Sequence, residues 1–133
     1  MTRGVKPQIK THGDALVKTP NAPSWLTKDG KAEWRRVAPI LVERRVLTEA
    51  DLGTLESYCT AVARIREAER LIAADGPTYV SSTGIKRHPA VSIQDASVKS
   101  ARLCASELGL TPVSRGRAGG APDDDDDLSP LAL

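Results

Sequence analysis

Apolar residues recur with the period of an α-helix in three stretches of this chain. Between Thr27 and about Arg45, Trp34, Val37 and Leu41 stand at i, i+3 and i+7, with Ile40 alongside. From Thr48 onward, Leu52, Leu55, Cys59, Val62 and Ile65 follow helical spacing, and Ile72 continues one turn beyond Ala68. A third stripe, Val91, Val98, Leu103, Ala105 and Leu108, predicts a helix from about Pro89 to Leu108. Between the second and third stripes, residues 78–88 read T-Y-V-S-S-T-G-I-K-R-H. Two short β-prone runs around a Ser-Ser-Thr-Gly turn predict a small β-hairpin there. The pattern as a whole predicts a mainly α fold: a helical hairpin or helix-turn-helix-like bundle, a small β-hairpin and a third helix.

Local signals mark the ends of these elements. Thr27 and Thr48 are N-cap candidates, Asp51 completes a capping-box-like pair, and Leu47 with Leu52 has the spacing of a hydrophobic staple. Gly30 weakens the first turn of the first helix. Pro39 removes the hydrogen bond to the Arg35 carbonyl, which predicts a kink or a split. Asp75-Gly76-Pro77 should stop the second helix. The stretch Glu107–Arg117, E-L-G-L-T-P-V-S-R-G-R, predicts a third stop: Gly109 in the left-handed conformation, Leu110 folding back on the last turn, and Pro112 barring any restart. Arg115 and Arg117 are then expected on an exposed segment.

Outside these stripes lie two tails. Residues 1–24 combine Pro7, Pro20, Pro23, Gly4 and Gly13 with few apolar positions, and read as a basic flexible arm. Residues 25–113 form the helical domain. Residues 114–133 read as a second flexible tail, with Gly116, Gly119, Gly120 and Pro122 before an acidic run. Both tails are expected to be disordered. Trp34 is in register with the core stripe, whereas Trp25 precedes the first N-cap, where it could clip the arm to the body.

Charge changes the picture more than composition does. The net charge is only +2 over 133 residues, yet it is unevenly distributed. Residues 1–18 carry four Lys/Arg against one Asp, residues 19–76 nine against nine, and residues 77–117 six against two. Asp123, Asp124, Asp125, Asp126 and Asp127 then follow without interruption. A basic body with an acidic tail points to a polyanionic partner, and to a tail that screens the basic surface or, with Leu128, Leu131 and Leu133 beside it, docks on a basic partner. The candidate phosphate contacts are Arg3, Lys6 and Lys10 on the arm, Lys28, Lys31, Arg35, Arg36, Arg44 and Arg45 on the first helix, and Lys86 and Arg87 on the hairpin. Arg64, Arg66 and Arg70 alternate with Glu67 and Glu69, a pattern that suggests ion pairs within the second helix or to a neighbouring subunit. With no Phe and only two Trp and two Tyr, the core is small and would benefit from oligomerisation.

Catalytic signatures do not occur: no phosphate-binding glycine loop ending in Lys-Ser or Lys-Thr, no nucleophile elbow, no zinc-protease motif. The one acidic cluster lies on an expected tail where nothing fixes its geometry, so no enzyme activity and no cofactor are expected. Cys59 and Cys104 sit in apolar helical patterns and read as small buried hydrophobes, and His12 and His88 do not complete a metal site. No signal peptide and no apolar run of 18 residues are seen, which predicts a reduced, cytosolic chain that does not enter a membrane.

Several blocks resemble one family, in order and with compatible spacing over about residues 20–118. Pro23, Trp25 and Leu26, then Ala32–Pro39 (A-E-W-R-R-V-A-P), then Leu47–Asp51 (L-T-E-A-D), Tyr58-Cys59, the Arg66–Glu69 segment, and Leu108–Arg117 (L-G-L-T-P-V-S-R-G-R) are similar to the small terminase subunit of tailed bacteriophages. The resemblance implies a non-enzymatic component of a genome-packaging motor. Such a protein is expected to assemble as a helical ring, bind double-stranded viral DNA in the cytoplasm of an infected bacterial host, and hand that DNA to the large terminase subunit, which carries the ATPase and nuclease. The acidic pentad departs from the family pattern. Together with Leu131 it is the candidate tail for engaging a partner. The residues alone also fit a dimeric helix-turn-helix transcription regulator, although the second helix offers few base-reading side chains, and a structural adaptor that binds protein through the tail.

Overall fold

A computed structural model describes residues 13–118. Helix α1 spans Lys28–Glu43, α2 Leu52–Asp75, α3 Pro89–Glu107 and α4 Pro112–Ala118, and strands β1 (Thr78–Ser81) and β2 (Gly84–Arg87) lie between α2 and α3. The fold is therefore mainly α with one two-stranded antiparallel hairpin, as the periodicities predict. Arg3, Lys6, Lys10, His12 and the run Asp123–Asp127 with Leu128, Leu131 and Leu133 fall outside the described residues.

The helix ends follow the local signals. Thr27 Oγ1 accepts from the Gly30 N–H at 3.3 Å and caps α1. Asp51 Oδ2 accepts from both the backbone N–H and the hydroxyl of Thr48, each at 2.9 Å, and a single 3-10 turn, Glu49–Asp51, leads into α2. Gly76 (φ 86°) ends α2, and Gly109 (φ 75°) follows α3. After α3, Gly109 N–H bonds Ser106 O at 3.1 Å and Leu110 N–H bonds Ala105 O at 2.8 Å, the paired bonds of a Schellman stop. The same motif closes α1, where Arg45 N–H bonds Val42 O at 2.9 Å and Val46 N–H bonds Leu41 O at 3.2 Å. The left-handed residue there is Arg45 (φ 61°), not glycine.

Three expectations are corrected. Of the kink or split expected at Pro39, the split does not occur: α1 runs through as one element, with Trp34, Val37, Ala38, Leu41 and Val42 buried on both sides of the proline. Pro112 does not bar a further helix. It opens α4 at the first helical position, where its missing N–H has no intrahelical partner to lose. Thr111 and Ser114 cap that helix reciprocally, with Ser114 N–H on Thr111 Oγ1 at 3.1 Å and Thr111 N–H on Ser114 Oγ at 3.2 Å. Trp25 does not clip the arm: it is exposed, and the clip is Trp34, whose Nε1–H donates to Pro20 O at 2.8 Å.

The core lies between α2 and its two neighbours. Leu41, Val37 and Trp34 of α1 meet Leu55, Tyr58, Cys59 and Ala61 of α2, and Ala101 and Leu108 close the other side. Residues 13–24 form no helix or strand, yet they lie on this body: Ala15 is buried, and Leu16 N–H bonds Leu47 O at 2.8 Å. Gly30 is buried where α1 crosses α2. A Cβ there would stand 3.3 Å from Leu26 Cδ2 and 3.4 Å from the Cys59 carbonyl oxygen.

Two substitutions check these assignments. Leu55 is completely buried. Leu55→Asp should cost roughly 4 kcal/mol or more and abolish the cooperative thermal transition followed by far-UV circular dichroism. Arg45→Gly should instead stabilise the chain by about 1 kcal/mol, because glycine adopts φ 61° without the Cβ clash. Chemical denaturation reads that gain as a higher midpoint.

Candidate nucleic-acid interface

The polar centre of the molecule is a carboxylate. Glu33 is only 2% exposed, on the side of α1 that faces α2. Arg36 grips it through two bonds, Nε to Oε1 at 3.0 Å and Nη2 to Oε2 at 2.5 Å. The Tyr58 hydroxyl donates to Oε2 at 2.7 Å, and Arg66 Nη2 reaches Oε1 at 3.5 Å. One turn away, Arg70 of α2 pairs with Asp29 of α1. The ion pairs of Arg66 and Arg70 thus run across to α1 rather than along α2, a correction to the expectation from their alternation with glutamates.

This geometry decides the protonation states. Burial by itself would raise the Glu33 carboxyl, but hydrogen bonds from Arg36 and Tyr58 and the charges of Arg36 and Arg66 outweigh it and hold the group below the usual carboxylate range. Burial, and then the bond to Glu33, pushes the Tyr58 phenol up to about 12. Burial, together with the Glu33 charge, pushes the Cys59 thiol up to about 12, so it stays protonated and inert at neutral pH. Burial likewise raises Cys104.

With Glu33 and Asp29 absorbing Arg36, Arg66 and Arg70, the remaining cations of α1 stand out. Lys28, Lys31 and Arg35 follow at i, i+3 and i+7 and form one row on a flank of α1 beside the buried stripe, with Lys28 and Arg35 exposed and Lys31 half-buried. None has a carboxylate within 4.0 Å among the described residues. Arg44 and Arg45 stand exposed at the end of the same helix, and Arg44 Nη1 donates to Gly109 O at 3.4 Å, beside Arg115. Arg115 does not leave on a free segment: it lies on α4 and donates to Leu110 O at 3.1 Å. Lys86 and Arg87 are elsewhere. They lie on β2, beyond the C-terminal end of α2, while Arg44 and Arg45 precede its N-terminal end, and the 24 residues of α2 span about 36 Å. Arg87 approaches Asp95 at 4.0 Å. The expected contacts therefore divide into a row on α1 with its terminal arginines, a separate pair on the hairpin, and Arg36, whose charge is already paired.

Among the described residues, no group of three or more potential metal ligands is assembled and no helix is long and apolar enough to cross a membrane. Glu33 and Arg115 carry roles that reading the sequence missed. The signal for Glu33 was its place: a charged residue one turn before Val37 and one turn after Gly30, hence on the face the stripe buries.

A family model described as phage terminase, small subunit, matches residues 30–125. The chain belongs to the phage terminase small subunit family. That family is one of phage DNA packaging, and its members are generally non-catalytic, DNA-binding components. A search of curated proteins found no match, and a search of solved structures found none either. The blocks that carry the family resemblance are also the ones that meet in three dimensions. Glu33 and Arg36 come from the Ala32–Pro39 block, Tyr58 and Arg66 from two others, the Thr48–Asp51 cap from a fourth, and the Gly109 stop with its Thr111–Ser114 cap from the last.

Glu33→Gln should lower stability by roughly 2–3 kcal/mol at neutral pH, since Arg36, Tyr58 and Arg66 lose a charged acceptor. The sign with pH follows from the depressed carboxyl. The advantage of Glu33 is complete above the unfolded-state value of about 4.3 and disappears as pH falls through the lower folded-state value. Denaturation midpoints of the two proteins should converge below that range and separate above it.

Proposed function

We propose that this chain is the DNA-recognition subunit of a phage packaging machine, acting without catalysis as an oligomeric ring that presents double-stranded viral DNA to the large terminase subunit in the cytoplasm of the infected host. The observation that carries the reading is the row Lys28, Lys31 and Arg35 on one flank of α1, where Lys28 and Arg35 are exposed, Lys31 is half-buried, and none of the three has a carboxylate within 4.0 Å among the described residues. Three cations at helical spacing match the demands of phosphate contact, which needs charge and reach rather than a pocket. Arg44 and Arg45 extend the row past the end of α1. Arg3, Lys6 and Lys10 on the amino-terminal arm are assigned to the same duplex, and Lys86 and Arg87 to a second point of contact. Arg36 serves the fold first, through Glu33. The tail with Asp123–Asp127 and Leu131 is assigned to the large subunit.

Binding of duplex DNA by fluorescence anisotropy tests this reading. The triple substitution Lys28→Gln, Lys31→Gln and Arg35→Gln should weaken binding uniformly across sequences and flatten the salt dependence by about one unit of slope per lost contact. Its melting temperature should stay close to the parent's, because none of the three side chains is fully buried or ion-paired among the described residues. Unchanged affinity and slope would refute the assignment.

A further inference from the structure

Two surfaces of the described chain are uncovered, a projecting apolar pair and a groove of mixed polarity, and they differ in shape. The first is the β-hairpin. Its register pairs Thr78 with Arg87, Tyr79 with Lys86, Val80 with Ile85 and Ser81 with Gly84. Alternation along the strands puts Val80, Ile85, Thr78 and Arg87 on one face, and Tyr79 and Lys86 on the other. Val80 is 82% exposed and Ile85 74%, so a cross-strand apolar pair stands in water at the tip. A lone two-stranded hairpin is marginal without an apolar surface against it. The second surface is the groove between α2 and α3. Its larger part, about 440 Å³, is as polar as it is apolar and is walled by Trp25, Glu56, Thr60, Ala96, Ser97 and Ser100. Arg64 joins it to a smaller, mainly apolar part lined by Leu71, Ala90 and Ile93, with Glu67 alongside. Trp25 is 61% exposed there, and the small side chains of α3 leave the floor open.

We propose that the hairpin of one copy seats its Val80–Ile85 face in the α2/α3 groove of the next copy. This rests on the oligomeric reading above and names the contact that would build the ring. Three features select a second copy of this chain as the occupant. The hairpin offers a projecting apolar face, and the Leu71, Ala90 and Ile93 part of the groove offers a recessed one. Arg87, on the inserting face and held by its own chain only at 4.0 Å from Asp95, meets a groove whose charged residues are Glu56, Glu67 and Arg64, an excess of negative charge. The two surfaces are different patches, so the contact is head-to-tail, the kind that builds a ring when the rotation between copies closes and never a two-fold dimer. Tyr79 and Lys86, on the opposite face, remain outside the joint and free for phosphate.

Sedimentation velocity on the full chain tests the proposal. Val80→Asp with Ile85→Asp changes only exposed side chains, so the helical circular dichroism and melting should persist while self-association weakens at least about tenfold. Ala96→Arg, which fills the groove from an exposed position, should do the same. Mixing the two variants should give a 1:1 heterodimer, since the pair retains one intact hairpin and one intact groove. Wild-type assembly by V80D/I85D, or no heterodimer on mixing, overturns the proposal. So does a V80D/I85D chain that assembles normally but loses affinity for duplex DNA, which would make the hairpin a nucleic-acid ribbon. A parent chain that stays monomeric yet binds DNA sinks this inference and leaves the proposed function in part. Assembly through the hairpin with no DNA binding at low salt does the reverse.

Discussion

The buried Glu33 carboxylate is the constraint on which the rest of the structure depends. It sits where α1 crosses α2, takes two bonds from Arg36 on its own helix, and reaches Tyr58 and Arg66 on the next. A charge removed from water is tolerated only when its lone pairs are satisfied, and here four donors do so. Because those donors come from both helices in one geometry, the cluster specifies how α1 docks on α2. Apolar packing alone would allow neighbouring registers, since Leu, Val and Ala surfaces are forgiving of a shift.

The same cluster sorts the charges. Nine basic and nine acidic residues lie between positions 19 and 76, an even balance that conceals a division of labour. Arg36, Arg66 and Arg70 are spent on Glu33 and Asp29, between the helices. Lys28, Lys31 and Arg35 lie beside the buried stripe and keep their charge. Helix α1, with four basic residues against three acidic ones, thereby presents a cationic flank. The chain arranges its surface as three separate zones: this flank of α1, the α2/α3 groove, and the hairpin beyond the end of α2.

Much of this was legible from the sequence, because the signals were local. Thr27, Thr48, Gly76 and Gly109 are caps and stops whose chemistry acts within four residues, and each marks an observed helix end. The hairpin was legible for the same reason. What local reading missed depends on distance or on a second meaning of one residue. Glu33 finds Tyr58 and Arg66 at separations of 25 and 33 residues, which no helical period reports. Pro112 can end one helix or begin another, and the choice rests on the Thr111–Ser114 pair. Trp25 and Trp34 were separable only by what lay opposite: Trp34 meets the Pro20 carbonyl, and Trp25 meets solvent. The cationic row was readable as a row, but its separation from Lys86 and Arg87 by the length of α2 was not.

Gly30 gives the absence of a side chain a geometric consequence. It lies between Lys28 and Lys31, and the space its missing Cβ leaves is bounded by Leu26 and by the backbone of Cys59. A methyl group there asks the Leu26 side chain and the Cys59 carbonyl to give by a few tenths of an ångström. The close seating of the first turn of α1, the turn that carries Lys28 and Lys31, thus rests on a hydrogen atom in the interior.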